Sequence, residues 1–200
     1  MTARVTVASY RYTLLWMQRG MFGCAFLLLG YCGFSYVDAW TFQRSAGVAL
    51  DVSFHPGSPR PPSAPGDILG RIEIPRLDVS VVVVEGTSER ALGHAAGHIA
   101  GTGTPGHPGN IGIAAHRDSY FRRLKDIEAG DSINLTTGEE TYRYRVVSTA
   151  IVPPAETAVL RANANDDEIL TLVTCYPFYF VGPAPKRFIV RAARIGRPLS

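Results

Sequence analysis

Ile169-Leu170-Thr171-Leu172-Val173-Thr174-Cys175 is an apolar, β-branched run that ends on a cysteine, and fold and chemistry both turn on its reading. Such a composition forms a strand. The other two cysteines, Cys24 and Cys32, lie inside an N-terminal hydrophobic segment. A lone thiol is often a small buried hydrophobe, so its company matters. A second strand-like run, Ile111-Gly112-Ile113-Ala114-Ala115, ends on His116, and Arg187 opens a third, Phe188-Ile189-Val190. Three reactive side chains at strand ends suggest a site assembled at one rim of a β-scaffold. Thiolate is the nucleophilic form of cysteine, and a nearby imidazolium or guanidinium favours it. The competing use of Arg187 is as an ordinary surface arginine beside Lys186, Arg191, Arg194 and Arg197.

Further strands follow from the same pattern. Asp67 to Ile74, Val79 to Val84, Ser132 to Leu135 and Tyr142 to Val147 are short and rich in β-branched or alternating residues. The stretch from Gly93 to Gly109 reads as a long connection with a short helix at its start. Tyr120 to Ile127 is a helix candidate, capped by Asp118 or Ser119, and Ala158 to Ala164 is a second. Many short strands at this spacing indicate a closed or nearly closed antiparallel barrel.

Two hundred residues with 46% hydrophobic content suffice for one globular domain and an appendage. The net charge of +3 owes much to Arg4, Arg11 and Arg19, so the rest is nearly neutral and lacks the basic face that phosphate binding needs. Met21 to Val37 is uncharged over 17 residues, which as a helix spans roughly 26 Å. Trp16, Tyr36 and Trp40 flank it as interfacial aromatics. A cleaved signal peptide would have a shorter apolar region and a small-x-small site, which Asp38-Ala39-Trp40 does not provide. The positive-inside rule then predicts a cytoplasmic segment 1–20, an anchor 21–37 in the cytoplasmic membrane and everything after it outside. His55 to Gly66 holds five prolines in twelve residues and reads as the core of a semi-rigid spacer, 38–66, standing off by roughly 35 Å. The domain is expected over 67–200. Cys175 is thereby left unpaired in an oxidising compartment, unusual for a thiol that is neither needed free nor deeply buried.

Thr171-Leu172-Val173-Thr174-Cys175 resembles the TLxTC motif of sortases, membrane-anchored cysteine transpeptidases. Cys175-Tyr176-Pro177-Phe178 with Val181 to Arg191 is similar to the cysteine-to-arginine region of class D sortases, and Gly109 to Asp118 to their histidine segment. The likeness covers roughly residues 67 to 200. One departure is Ala115, where glycine is more frequent. The resemblance implies a mainly β fold, an eight-stranded β-barrel with one or two short helices, in which His116, Cys175 and Arg187 gather at one end as the catalytic residues. It also implies a substrate: a secreted protein with a C-terminal LPxTG-like sorting signal. Cys175 would form a thioester and His116 would protonate the departing amine. Arg187 would hold the tetrahedral charge, and a primary amine from a cell-wall precursor or a pilin lysine would accept the acyl group. Thr174 is a candidate for a hydrogen bond to substrate or loop, with strand-end packing as its competing use. Asp118 can orient His116 or cap the next helix.

Other chemistries fit less well. His94 and His98 have HxxxH spacing, with His107 following, but Gly97 lies between them and no glutamate completes a zinc motif, so they read as surface or packing histidines. No metal and no cofactor is expected. L,D-transpeptidases place an arginine two positions after the nucleophile, and papain-like enzymes place their cysteine at a helix start; neither pattern is present. A membrane-tethered barrel acting as an adhesin or scaffold, with Cys175 buried, is the non-enzymatic alternative.

Overall fold

The computed structural model describes residues 3–52, 64–138, 140–162, 168–180 and 182–196. Two compact units divide the chain, Met1–Thr41 and Phe42–Ser200. The first is helical throughout its described residues, within a helix α1 that runs Ala3–Val52. Within α1 the stretch Tyr12–Arg44 is long and apolar enough to cross a membrane, and its most apolar window is not buried inside the protein. Phe26 and Leu27 are 79% and 74% exposed, an arrangement suited to lipid rather than water. Helix α1 extends past the expected anchor end at residue 37. Most of the expected proline-rich run, residues 55 to 63, lies outside the described residues.

The second unit is built from eight strands: β1 (Ile68–Ile74), β2 (Val79–Glu85), β3 (Ala96–His98), β4 (Gly109–Ala114), β5 (Ser132–Thr137), β6 (Glu140–Val152), β7 (Glu168–Tyr176) and β8 (Lys186–Arg194). They close into a barrel in the order β1-β2-β3-β4-β7-β8-β6-β5, as the eight-stranded expectation has it. Period-two alternation fills the barrel. Ile72, Ile74, Val81, Val83, Ile111, Ile113, Leu170, Leu172, Val190 and Ala192 point inward and share one core.

The barrel is not wholly antiparallel. β2 pairs with β3 and β4 with β7 in parallel. A parallel pair needs a crossover, and helix α2 (Glu89–His94) supplies it between β2 and β3. Ser88 caps α2 through the Ala91 amide. The histidine-containing connection therefore holds a helix and a strand. His98 is buried on β3, with Nδ1 2.7 Å from Glu85 Oε2 and Nε2 2.9 Å from the Gly103 carbonyl.

Both helix candidates after His116 are 3-10 turns, Arg122–Asp126 and Thr157–Leu160. Phe121, Leu124 and Ile127 are buried, a repeat of three that matches three residues per turn. No side chain caps the first of these turns. The second candidate's end, from residue 163, lies outside the described residues.

At the barrel end away from Cys175, Tyr144 is fully buried and donates to Glu168. Burial and that carboxylate push its phenol pKa far up. Arg194 lies over the Tyr142 ring at 4.5 Å.

Candidate active site

The three strand ends singled out in the sequence meet on adjacent strands. Cys175 on β7 lies directly opposite Arg187 on β8 in the antiparallel register. On the other side, β4 runs parallel to β7 with Ala114 opposite Val173. The ladder continues one step, since the Ala115 amide donates to the Val173 carbonyl at 3.2 Å. His116 follows at the level of Cys175. Neighbouring strands lie about 4.8 Å apart, so the order across the wall is histidine, cysteine, arginine.

Alternation also decides which face they share. Ala115, Thr174, Val190 and Ala192 are buried on the core side. His116, Cys175 and Arg187 are therefore on the outer face of the barrel wall. His116 is exposed, and Cys175 and Arg187 are half-buried. Below them the outer face is covered: Gly112 lies under Ile99, Thr102 and Leu160, with no room for a larger side chain without movement. What stays open is the rim.

Neither the Cys175 thiol nor the His116 ring makes a hydrogen bond to a described residue. Arg187 uses Nη1 on the Ala184 and Lys186 carbonyls, at 3.2 and 3.0 Å, which holds the guanidinium beside the β7–β8 loop. Asp118 makes no bond to His116 among the described residues. Thr174 is buried, and its hydroxyl donates to the Ala115 carbonyl at 2.8 Å. That bond ties the residue before Cys175 to the residue before His116. Ala115 has no left-handed φ, so alanine is unstrained there.

Two polar residues escape a reading by sequence. Asn110 is 2% exposed and donates to the Val159 and Arg161 carbonyls at 2.9 and 3.1 Å, while accepting from Thr171 at 2.7 Å. It fastens the Thr157–Leu160 turn over β4 and β7. An amide inside an otherwise apolar strand is the signal that marks it. The second is Arg117, whose side chain turns away from His116 to the β7–β8 loop.

A thiol, an imidazole and a guanidinium on neighbouring strands of a barrel can carry out acyl transfer through a covalent thioester. Comparison with known proteins points the same way. Residues 72–195 match the family model of the sortase domain. The chain is 31% identical to Sortase D of Bacillus subtilis (strain 168), over 84% of this chain and 92% of the relative. Among solved structures, a Clostridium perfringens Sortase D5 transpeptidase superposes with a TM-score of 0.60 at 31% identity, covering 66% of this chain and 82% of that one. Sortase A from Corynebacterium diphtheriae gives a TM-score of 0.62 at 30% identity, over 68% and 65% of the two chains.

Proposed function

This chain belongs to the sortase family, cysteine transpeptidases that act on LPxTG-like sorting signals, and on that premise we propose that Cys175, His116 and Arg187 carry out its chemistry. The supporting observation is their alignment across β4, β7 and β8 on one outer face of the barrel.

The Cys175 thiolate attacks the carbonyl carbon after the threonine of the sorting signal, forming a C–S bond. Arg187 stabilises the tetrahedral oxyanion with its fixed fork of donors. His116 gives its proton to the leaving nitrogen as the C–N bond breaks, and a thioester remains. An incoming primary amine then attacks the thioester, passes a proton to His116, and expels the thiolate as the new amide closes. Thr174 acts as a positioning residue through the Ala115 carbonyl, keeping the histidine segment against the cysteine strand, rather than as a substrate contact. The β7–β8 loop forms one wall of the peptide groove.

The apolar helix is a single-pass anchor with its N-terminus in the cytoplasm and the domain outside, reached by secreted chains. The acceptor is the amine of a cell-wall precursor or of a pilin lysine. Mass spectrometry tests this reading: the chain incubated with a library of LPxTx peptides should gain the mass of the acyl fragment on Cys175. Added amines should discharge it as an amide product. Cys175→Ala should show no adduct, and His116→Ala and Arg187→Ala should slow its formation by about 100-fold or more. An adduct that forms at the normal rate in any of these variants removes that residue from the mechanism.

A further inference from the structure

Arg117 follows the proposed catalytic histidine directly, yet its guanidinium is spent on the β7–β8 loop. Nη1 donates to the Pro177 carbonyl at 2.9 Å, and Nη2 donates to the Phe180 and Gly182 carbonyls at 2.5 and 3.2 Å. The charged group also lies 5.9 Å from the Phe180 ring centroid, within cation–π range. The loop begins two residues after Cys175 and ends at β8. Pro177, Pro183 and Pro185 deprive it of three backbone donors, and the Phe180 amide shares the Pro177 carbonyl with Arg117 at 3.3 Å. A second tie comes from the same chain segment: Lys125 Nζ donates to the Tyr179 hydroxyl at 2.9 Å and lies 5.5 Å over its ring.

These ties hold an exposed loop that presents apolar surface. Tyr179 is 74% and Phe180 44% exposed. A planar guanidinium suits three divergent carbonyls, because its donors are arranged in a rigid fork that an ammonium lacks. The chain thereby joins the flank of His116 to the flank of Cys175 through one side chain.

We propose that Arg117 is a positioning residue that clamps the β7–β8 loop as the wall of the peptide groove, and so sets the affinity for the sorting signal. This rests on the transpeptidase reading for its functional half; the clamp itself does not.

Arg117→Ala and Arg117→Lys are compared with the wild-type chain by three measurements. Backbone hydrogen exchange of the loop, read at the Phe180 amide that donates to the Pro177 carbonyl, should rise by about tenfold or more in Arg117→Ala and less in Arg117→Lys. KM for an LPxTG-containing peptide should rise about tenfold in Arg117→Ala, with kcat changed by less than about threefold and partial recovery in Arg117→Lys. Alkylation of Cys175 by iodoacetamide should keep its wild-type rate. Unchanged loop exchange in a folded Arg117→Ala variant overturns the clamp, and a fall in kcat at constant KM overturns the positioning role in favour of action on the reacting atoms. Should Arg117→Ala fail to fold, the same criteria apply to Arg117→Lys. A wild-type chain that turns over no such peptide sinks the transpeptidase reading, while loop exchange still decides the clamp.

Discussion

Thr174 shows how a residue next to a reactive one acquires its role. Along β7 it alternates with Cys175, so one faces the core and the other the outer face of the barrel. Its hydroxyl, buried among apolar side chains, needs a partner, and the Ala115 carbonyl is that partner. Thr174→Val keeps the shape and removes the donor. Loss of the bond should lower stability by about 1–3 kcal/mol, since the Ala115 carbonyl stays buried. It should also reduce kcat by about tenfold, because the His116 segment is no longer held in register with Cys175. Urea denaturation and peptide kinetics check the two effects. A Val variant with wild-type turnover removes the positioning role. From sequence alone this hydroxyl was equally suited to touch substrate, loop or core, because its acceptor lies 59 residues away.

Element by element, close backbone approach and one ion pair do much of the joining. Gly97 on β3 lies between β2 and β4, and a Cβ there would sit 2.3 Å from the Gly86 carbonyl. Gly97→Ala should therefore cost about 1–3 kcal/mol by forcing β3 outward, measured as a lowered urea midpoint. An unchanged midpoint means that β3 gives way easily. Arg76, in the turn between β1 and β2, grips Asp131 ahead of β5 and also the Asp126 carbonyl. That hydrogen-bonded guanidinium holds the Asp131 carboxyl below its ordinary value of 3.8. The unfolded chain then takes up the proton first, so the pair's stabilisation is present above that value and is lost as pH falls through the depressed one. Arg76→Ala should be less stable than wild type at neutral pH, with the gap closing in acid. Parallel urea titrations from pH 7 to pH 2 would reveal it, and a gap independent of pH excludes this pair as its source. The strands themselves were legible in the sequence, because period-two alternation is local. Not so the parallel pairings, which depend on crossovers. The 3-10 turns escaped because a repeat of three over one or two turns resembles a helical one.

At the scale of the whole chain, a helix long and apolar enough to cross a membrane and a sortase-family barrel share one polypeptide. The proposed orientation, N-terminus in the cytoplasm, predicts that a membrane-impermeant maleimide added to intact protoplasts labels Cys175 and leaves Cys175→Ala unlabelled. Labelling that requires lysis puts the barrel on the cytoplasmic side. Sequence by itself determined that a cysteine, a histidine and an arginine lie at the ends of strands, and that an apolar segment of membrane-spanning length precedes them. All of this is local: composition, alternation and the length of an uncharged run. Only the tertiary structure decided that β4 lies beside β7 and β7 beside β8, that His116, Cys175 and Arg187 turn to the same outer face, and that Arg117 reaches the far loop. Those facts depend on register between strands separated by dozens of residues, where the free energy lies in closing the barrel around a shared core rather than in any single stretch of chain.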